Sequence, residues 1–446
     1  AGLLPIDQHH RAATLLQMAQ RAGGRVRLPY AKILDWPNVR YRCAADWLVN
    51  VESNRWALDR GDGRRAFFDR VRRNLDFCFD HKINLAWFDG FGWDTRRIPG
   101  YARLMRACNR EARRRGIRMV FGGYGGGYGT AYQVGENYRH GYFGKVFLNR
   151  RSYPGGRPYP CRGWTAEDGG RSRLYGTCLS NAALARAKLD ELTRFVRAVQ
   201  PGFLYVHDID AGTWAQAGAT WRQRCTACRR RWPNDELGAA DGQAGACAAW
   251  YRQVRRTLSA LPASGDYVPA RDLTVAFASP LYAAFDESKP ANVWELETDY
   301  FTLLGRLVGP EPGIEFVLRE MFYDAHGRKK MAGLRARMDR AGAGHGILVG
   351  AFAGGDNYYS DTLASLAGTL VPFYEGAEAV YLSNGGLHQK PVQLLNADFL
   401  WSGSAGGHRE EPATETDTLA LRLALVQGTH RPPAIFGRGG QFQRLC

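Results

Sequence analysis

The segment FLYVHDIDAGTW (203–214) holds the residues best suited to chemistry. Asp208 and Asp210 stand two apart after a short apolar run. Residues two apart on a strand share a face, so both carboxylates would point one way while His207 and Ile209 take the other. Two carboxyl groups aimed at one spot push their pKa values apart, giving one proton donor and one lasting anion. Cleavage of a glycosidic bond needs that division of labour. Other roles are open to the same residues. Asp208 or Asp210 could bind a metal or cap the following loop, and a single histidine such as His207 is more often a satisfied core residue than a catalyst.

The elements that must position this pair can be read from hydrophobic period. Eight short runs rich in β-branched and aromatic residues have strand character: 39–46, 83–89, 117–123, 203–208, 273–279, 314–320, 346–352 and 377–383. Between and after them lie stretches with apolar residues at helical spacing, over 64–80, 100–115, 181–199, 247–261, 291–307, 328–341, 360–374 and 415–427. Eight strand-helix units in series predict an α/β fold of the (β/α)₈ TIM-barrel kind. An open doubly wound sheet is the alternative, but no Gly-x-Gly-x-x-Gly turn follows the first strand. Residues 1–38 read as a lead-in helix and linker, which could be the end of a preceding small α/β domain, and 39–446 as the barrel. Two connections exceed the usual few residues, 123–180 after strand 3 and 209–246 after strand 4. The first is rich in Gly, Tyr and Arg, which suits either an ordered irregular loop or a surface insertion.

Side chains at the C-terminal ends of barrel strands face a common pit, so polar residues there are site candidates. They are Arg42 and Asp46, Asp89 with Trp93 and Asp94, Tyr124, His207, Ser279 and Tyr282, Arg319 and Glu320, Asp356 with Tyr358, Asn384, and Trp401. Carboxylates for acid/base work, flat rings for sugar faces and an arginine for hydroxyls together describe a carbohydrate site. Asp94 and Asp356 could equally be helix N-caps, and Arg319 and Glu320 an ion-paired strand end.

Composition narrows the class. With 45% hydrophobic, 23% charged and 12% aromatic residues, the chain can bury a full core and does not have a disordered composition. No run approaches about 20 uninterrupted apolar residues, and the opening lacks a basic-then-apolar leader, so a soluble protein without membrane contact is expected. Sixty basic against 43 acidic residues give a formal charge of +17, which raises nucleic acid or another polyanion as a partner. The arginines, however, fall largely in helical stretches interleaved with acids and apolar positions, as on solvated outer faces. Nine cysteines cannot all pair within one chain. Cys225 and Cys228 have the spacing of half a zinc site, with no second CxxC to complete it, so a structural metal, a disulfide and free thiols all stay open.

The segment AATLLQMAQRAGGRVRLPYAKILDWPNVRYRC resembles the opening of the barrel in family-20 glycoside hydrolases, the β-N-acetylhexosaminidases and their relatives. NLDFCFDHKINLAWFD and REARRRGIRMVF are similar to that family's second and third units, and GAEAVYLSN with LNADFLWSG to its closing segment. The resemblance covers about residues 30 to 400 loosely. It implies that the family's Asp-Glu pair after the fourth strand falls at Asp208 and Asp210, and its substrate-binding arginine at Arg42. In that scheme one carboxylate orients the substrate's 2-acetamido group, which attacks the anomeric carbon, and the other, here Asp210, protonates the leaving oxygen. The chain departs from the family in the i, i+2 spacing of its acids and in Cys43, where the family has glycine.

These readings converge on an exo-acting glycoside hydrolase that cleaves a terminal N-acetylhexosamine or related sugar from an oligosaccharide or polysaccharide, without cofactor or metal. The alternatives are a noncatalytic carbohydrate-binding barrel, a glycosidase acting on an anionic sugar such as a uronide, and, on charge alone, a nucleic-acid-binding protein. If the glycan is extracellular, a secreted or periplasmic protein is expected.

Overall fold

The computed structural model of the chain describes residues 19–22, 24–28, 40–44, 61–88, 100–122, 137–138, 146–147, 180, 182–206, 214, 218, 221–222, 226–282, 293–319, 325–351 and 379–382. Among them, eight strands coincide with the eight runs read from the sequence: β1 (Tyr41–Ala44), β2 (Leu85–Phe88), β3 (Arg118–Gly122), β4 (Phe203–Val206), β5 (Thr274–Tyr282), β6 (Ile314–Arg319), β7 (Gly346–Ala351) and β8 (Ala379–Leu382). All eight pairings are parallel. β8 pairs with β1 through Ala379↔Tyr41 and Val380↔Arg42, so the strands form a closed ring instead of an open sheet with two edges. Six helices alternate with them: α1 (Gly61–Asp80), α2 (Tyr101–Arg114), α3 (Ala182–Val199), α4 (Gln243–Ser259), α5 (Val293–Val308) and α6 (Ala325–Arg340). The helices expected at 360–374 and 415–427 lie outside the described residues.

Strand alternation divides the core in two. Tyr41, Leu85, Val120, Phe203, Tyr205, Ala276 and Val317 form one cluster, contributed by strands alone, that fills the ring. Their neighbours, such as Ala86, Phe121, Leu204, Val206, Phe277 and Phe316, join the helices in the outer cluster. Strands buried on both faces read as continuous apolar runs, which is why period 2 alone could not say which residues face inward. The helices show the complementary pattern. On α2 the buried residues Tyr101, Met105, Cys108 and Ala112 recur at spacings of three and four along one stripe.

Turns from helix to strand are built by one recurring device. After α1, Ile83 N–H bonds to Cys78 O and Lys82 N–H to Phe79 O. After α2, Ile117 bonds to Ala112 and Gly116 to Arg113, and after α6, Ala343 bonds to Met338 and Gly342 to Asp339. These paired bonds are Schellman motifs, which need a left-handed residue at the turn. Gly116 and Gly342 supply it with φ of 69° each, and Lys82 does so at 57°. The residue that follows each, Ile83, Ile117 or Ala343, is buried and leads into the next strand one to three residues later.

Many arginines act as clamps on backbone carbonyls at this same end. The last carbonyls of α3 have no helical partner. Arg106 donates to Arg197 O at 2.7 Å and Ala198 O at 3.0 Å, Asn109 to Val199 O at 3.1 Å, and Arg113 to Gln200 O at 2.9 Å. Three donors at helical spacing on α2 thus satisfy four consecutive acceptors, the last three carbonyls of α3 and that of Gln200 just past it. Arg255, on α4 and fully buried, reaches Pro312 O and Leu273 O at 2.7 Å and Ala270 O at 2.8 Å. Part of the positive charge is therefore structural.

Shorter elements lie outside the ring and its six helices. Gln20–Ala22 and Arg25–Arg27 pair antiparallel, and the helix expected before them lies outside the described residues. In the long connection after β3, Asn137–Tyr138 pairs antiparallel with Val146–Phe147. In that after β4, a short helix, Thr226–Arg231, is described.

Candidate functional site

The floor and the wall of the ring are well defined. At the N-terminal end, Tyr41 OH donates to Glu315 Oε1 at 3.3 Å, and Arg40 Nη1 stands 3.3 Å from the same oxygen. Arg118 Nη1 donates to Thr274 Oγ1 at 2.7 Å across β3 and β5. Glu315 shares the inward parity of Val317, so this buried polar layer lies beneath the apolar layer that fills the ring. Burial, then the neighbouring Glu315 charge, raises the Tyr41 phenol above its ordinary pKa, and Arg118 and Arg40 oppose the shift. The sequence reading missed this layer because it looked only at the other ends of the strands. The signal was present: Arg118 and Glu315 are charged residues inside otherwise apolar strands.

At the C-terminal end, β5 runs on to Tyr282, where Arg319↔Tyr282 follows a register shift after Val317. The next pairings around the ring are Arg319↔Gly350 and Gly350↔Tyr381. Of the residues expected at the mouth, Tyr282 and Arg319 are thus brought to adjoining positions on neighbouring strands. Ser279 lies on the same final stretch of β5.

The rest of the expected site follows the strand ends in sequence. β2 ends at Phe88 and Asp89 comes next, β4 ends at Val206 before His207, and β6 ends at Arg319 before Glu320. Asp46, Asp89, Trp93, Asp94, Tyr124, His207, Asp208, Asp210, Glu320, Asp356, Tyr358, Asn384 and Trp401 lie outside the described residues.

Arg42 requires a correction. Tyr41 takes the inward parity, so Arg42 faces the opposite way. Its buried guanidinium donates through Nε to Lys82 O at 2.7 Å and through Nη1 to Arg40 O at 3.4 Å. Both carbonyls precede a strand, at the end of the ring opposite the βα loops. Its backbone N–H donates to Asn84 Oδ1 at 2.6 Å, and Asn84 Nδ2 donates back to Arg40 O at 2.7 Å. Arg42 therefore ties β1 to the turn before β2 and is not part of the mouth. A motif match fixes residue type, whereas strand parity fixes direction.

The connection after β4 packs firmly onto α4. Trp221 Nε1 donates to Asn234 O at 2.9 Å, Ala244 N–H to Leu237 O at 2.9 Å, and Trp221, Cys228, Trp232 and Leu237 join the core. Trp214, further up the same connection, meets Tyr300 of α5 edge-on at 6.2 Å. Cys228 is buried on the short helix, and its motif partner Cys225 lies outside the described residues. No three residues able to hold a metal come together among the described residues. No described helix is long and apolar enough to cross a membrane.

No family model matches the chain, and no curated protein matches it. The family-20 resemblance of the opening segment thus has no counterpart at the level of a family model. Similar solved structures include an O-GlcNAc hydrolase variant from Thermobaculum terrenum, 10% identical over 89% of this chain and 65% of that one, with a TM-score of 0.47. Another is CpGH84B, 10% identical over 93% of this chain and 56% of that one, with a TM-score of 0.46. The chain spans less than two thirds of the length of either.

Proposed function

We propose that the chain is a glycoside hydrolase on a (β/α)₈ barrel, with Asp208 and Asp210 as its catalytic carboxylates. The observation that carries this reading is the course of β4. Its four residues are wholly buried between β3 and β5, and the segment HDID follows directly on its last residue in the sequence. Strands carrying Asp89 and Glu320 just past their last residues run parallel to it. On a continued strand, His207 would keep the inward parity of Phe203 and Tyr205. In the proposal Asp208 and Asp210 therefore turn to the mouth where the chain leaves strand geometry.

Asp210, farther along the loop, acts as the acid that protonates the leaving oxygen. Asp208 supports the attacking group, which is either the 2-acetamido oxygen of an N-acetylhexosamine or, in a conventional two-carboxylate scheme, a water or the carboxylate itself. Asp89 or Glu320 is the partner across the pit in that second scheme. Tyr282 joins Asp46, Trp93, Asp94, Tyr124, His207, Asp356, Tyr358, Asn384 and Trp401 in holding a terminal sugar. Flat rings cover its C–H face and polar groups take its hydroxyls.

The test is hydrolysis of a panel of aryl glycosides, including N-acetylhexosaminides, uronides and pentosides, followed by two variants. Asp210→Asn keeps shape but removes the transferable proton. It should cut turnover about 10²-fold or more on poor leaving groups and much less on activated ones. Asp208→Asn should slow both alike. Near-normal activity of both variants on a confirmed substrate would remove the pair from the mechanism.

A further inference from the structure

The outer surface of α2 carries more positive charge than any structural use accounts for. Five arginines on the helix and Arg115 at its C-cap stand against one acid, Glu111. Four of the six have partners. Arg106 and Arg113 hold the carbonyls of α3, Arg114 pairs with Glu111 at 2.8 Å, and Arg115 reaches Asp76 at 2.7 Å and Glu111 at 3.0 Å. The side facing α1 is thereby neutralised. Arg103 and Arg110 are exposed and have no carboxylate partner among the described residues.

Their position on the helix is informative. At 100° per residue, Arg103 and Arg110 lie diametrically opposite the stripe Tyr101, Met105, Cys108 and Ala112, and so point straight out from the barrel. They are two turns apart, about 10 Å along the axis. The clamps from Arg106, Asn109 and Arg113 fix α3 alongside, and α3 adds exposed Arg194 and Arg197, again without a carboxylate partner among the described residues. Four cations are thus held on two mutually bonded helices, with exposed Asp190, one turn before Arg194, as an acid on that side of α3. Like charges at separations near the Debye length, about 8 Å at physiological salt, repel, and a polyanion relieves that cost by replacing their counterions.

We propose that this α2–α3 face is an exosite for an acidic polysaccharide bearing repeated carboxylate groups. It lies on the helical shell, apart from the mouth. The choice of a glycan over a nucleic acid rests on the hydrolase reading and on one further observation. The exposed large hydrophobic residues among those described are Val26 and Leu28, so the face offers no aromatic platform on which bases could stack. The exosite would hold a long acidic chain while its terminal sugar is presented to the site, and small substrates would not use it.

The experiment measures binding of the whole chain to polygalacturonate and, separately, to duplex DNA, from about 50 to about 200 mM salt. It compares Arg103→Glu/Arg110→Glu with Arg306→Glu/Arg340→Glu, a pair with the same charge change at exposed positions on α5 and α6. Polygalacturonate should bind the wild type with a steep salt dependence. The α2 pair should lose about tenfold or more in affinity and the control pair much less. Arg103→Gln/Arg110→Gln supplies the same readout if charge reversal impairs folding, which circular dichroism would show. An equal loss in both reversal pairs would mean that net charge alone acts, and would overturn the exosite. Tighter binding of DNA than of polygalacturonate would overturn the choice of glycan, and absence of binding would overturn the proposal outright. Turnover of a small neutral aryl glycoside should be unchanged in the α2 pair. Loss of that turnover in the wild type would instead refute the hydrolase reading.

Discussion

Replacing Arg255 by methionine tests the idea that buried arginines at the floor of the barrel are backbone clamps. The side chain is 2% exposed and donates to four carbonyls, Pro312 O and Leu273 O at 2.7 Å, Ala270 O at 2.8 Å and Pro269 O at 3.5 Å. Leu273 immediately precedes β5 and Pro312 lies just before β6, so the guanidinium holds the starts of two neighbouring strands together. Methionine fills much of the volume but leaves the buried Leu273 carbonyl without that donor, at about 1–3 kcal/mol, and the more exposed Pro312 and Ala270 carbonyls at less, since water can reach them. Relief from burying a charge offsets part of this, since desolvating an ion costs several kcal/mol. A net destabilisation on the order of 2 kcal/mol follows. With an m-value of about 3 kcal/mol/M, the urea midpoint should fall by roughly 0.7 M, followed by tryptophan fluorescence and by circular dichroism. Arg255→Lys should recover only part of the loss, because one ammonium cannot span acceptors fanned around a planar fork. Gly313→Ala should mimic the defect without touching the arginine, since its Cβ would fall 2.6 Å from Arg255 Nη2. A midpoint within about 0.2 M of wild type for Arg255→Met would refute the clamp reading.

Two further outcomes follow from the same geometry. Asn109→Leu, which strips Val199 O of its buried donor, should cost about 1–3 kcal/mol, whereas Arg106→Ala at the exposed edge should cost less because water can replace it; equal urea midpoints for the two variants would contradict this. Stability should also fall at alkaline pH. Burial raises Cys78, Cys108, Tyr41 and Tyr267 above their ordinary pKa values, so their contribution is complete below the unfolded values, about 8.5 for thiols and about 10 for phenols, and is lost as pH rises towards the folded ones. Urea midpoints that stay level from about pH 8 to 11 would count against it, and Tyr41→Phe should flatten the upper part of the decline.

The sequence by itself determined the elements. All eight strands fall on short β-branched and aromatic runs and six of the helices where the 3.6 period puts them, because both signals are set locally along the backbone. The glycines at 116 and 342 likewise announce their turns, since a Schellman motif needs only a few consecutive residues. The prospective catalytic segment was legible for the same reason, as carboxylates following a short apolar run. Tertiary structure decided what depends on a distant partner. Ring closure rests on Ala379 meeting Tyr41. The floor rests on Tyr41 reaching Glu315, 274 residues away. The α3 carbonyls are satisfied by α2 side chains about 90 residues earlier. Arg42 is the sharpest case: its type and place suggested a substrate ligand, and only the parity of β1 within the closed ring turned it to the carbonyls of Lys82 and Arg40. A strand buried on both faces carries no local mark of which face looks inward, so direction is fixed only when its neighbours are in place.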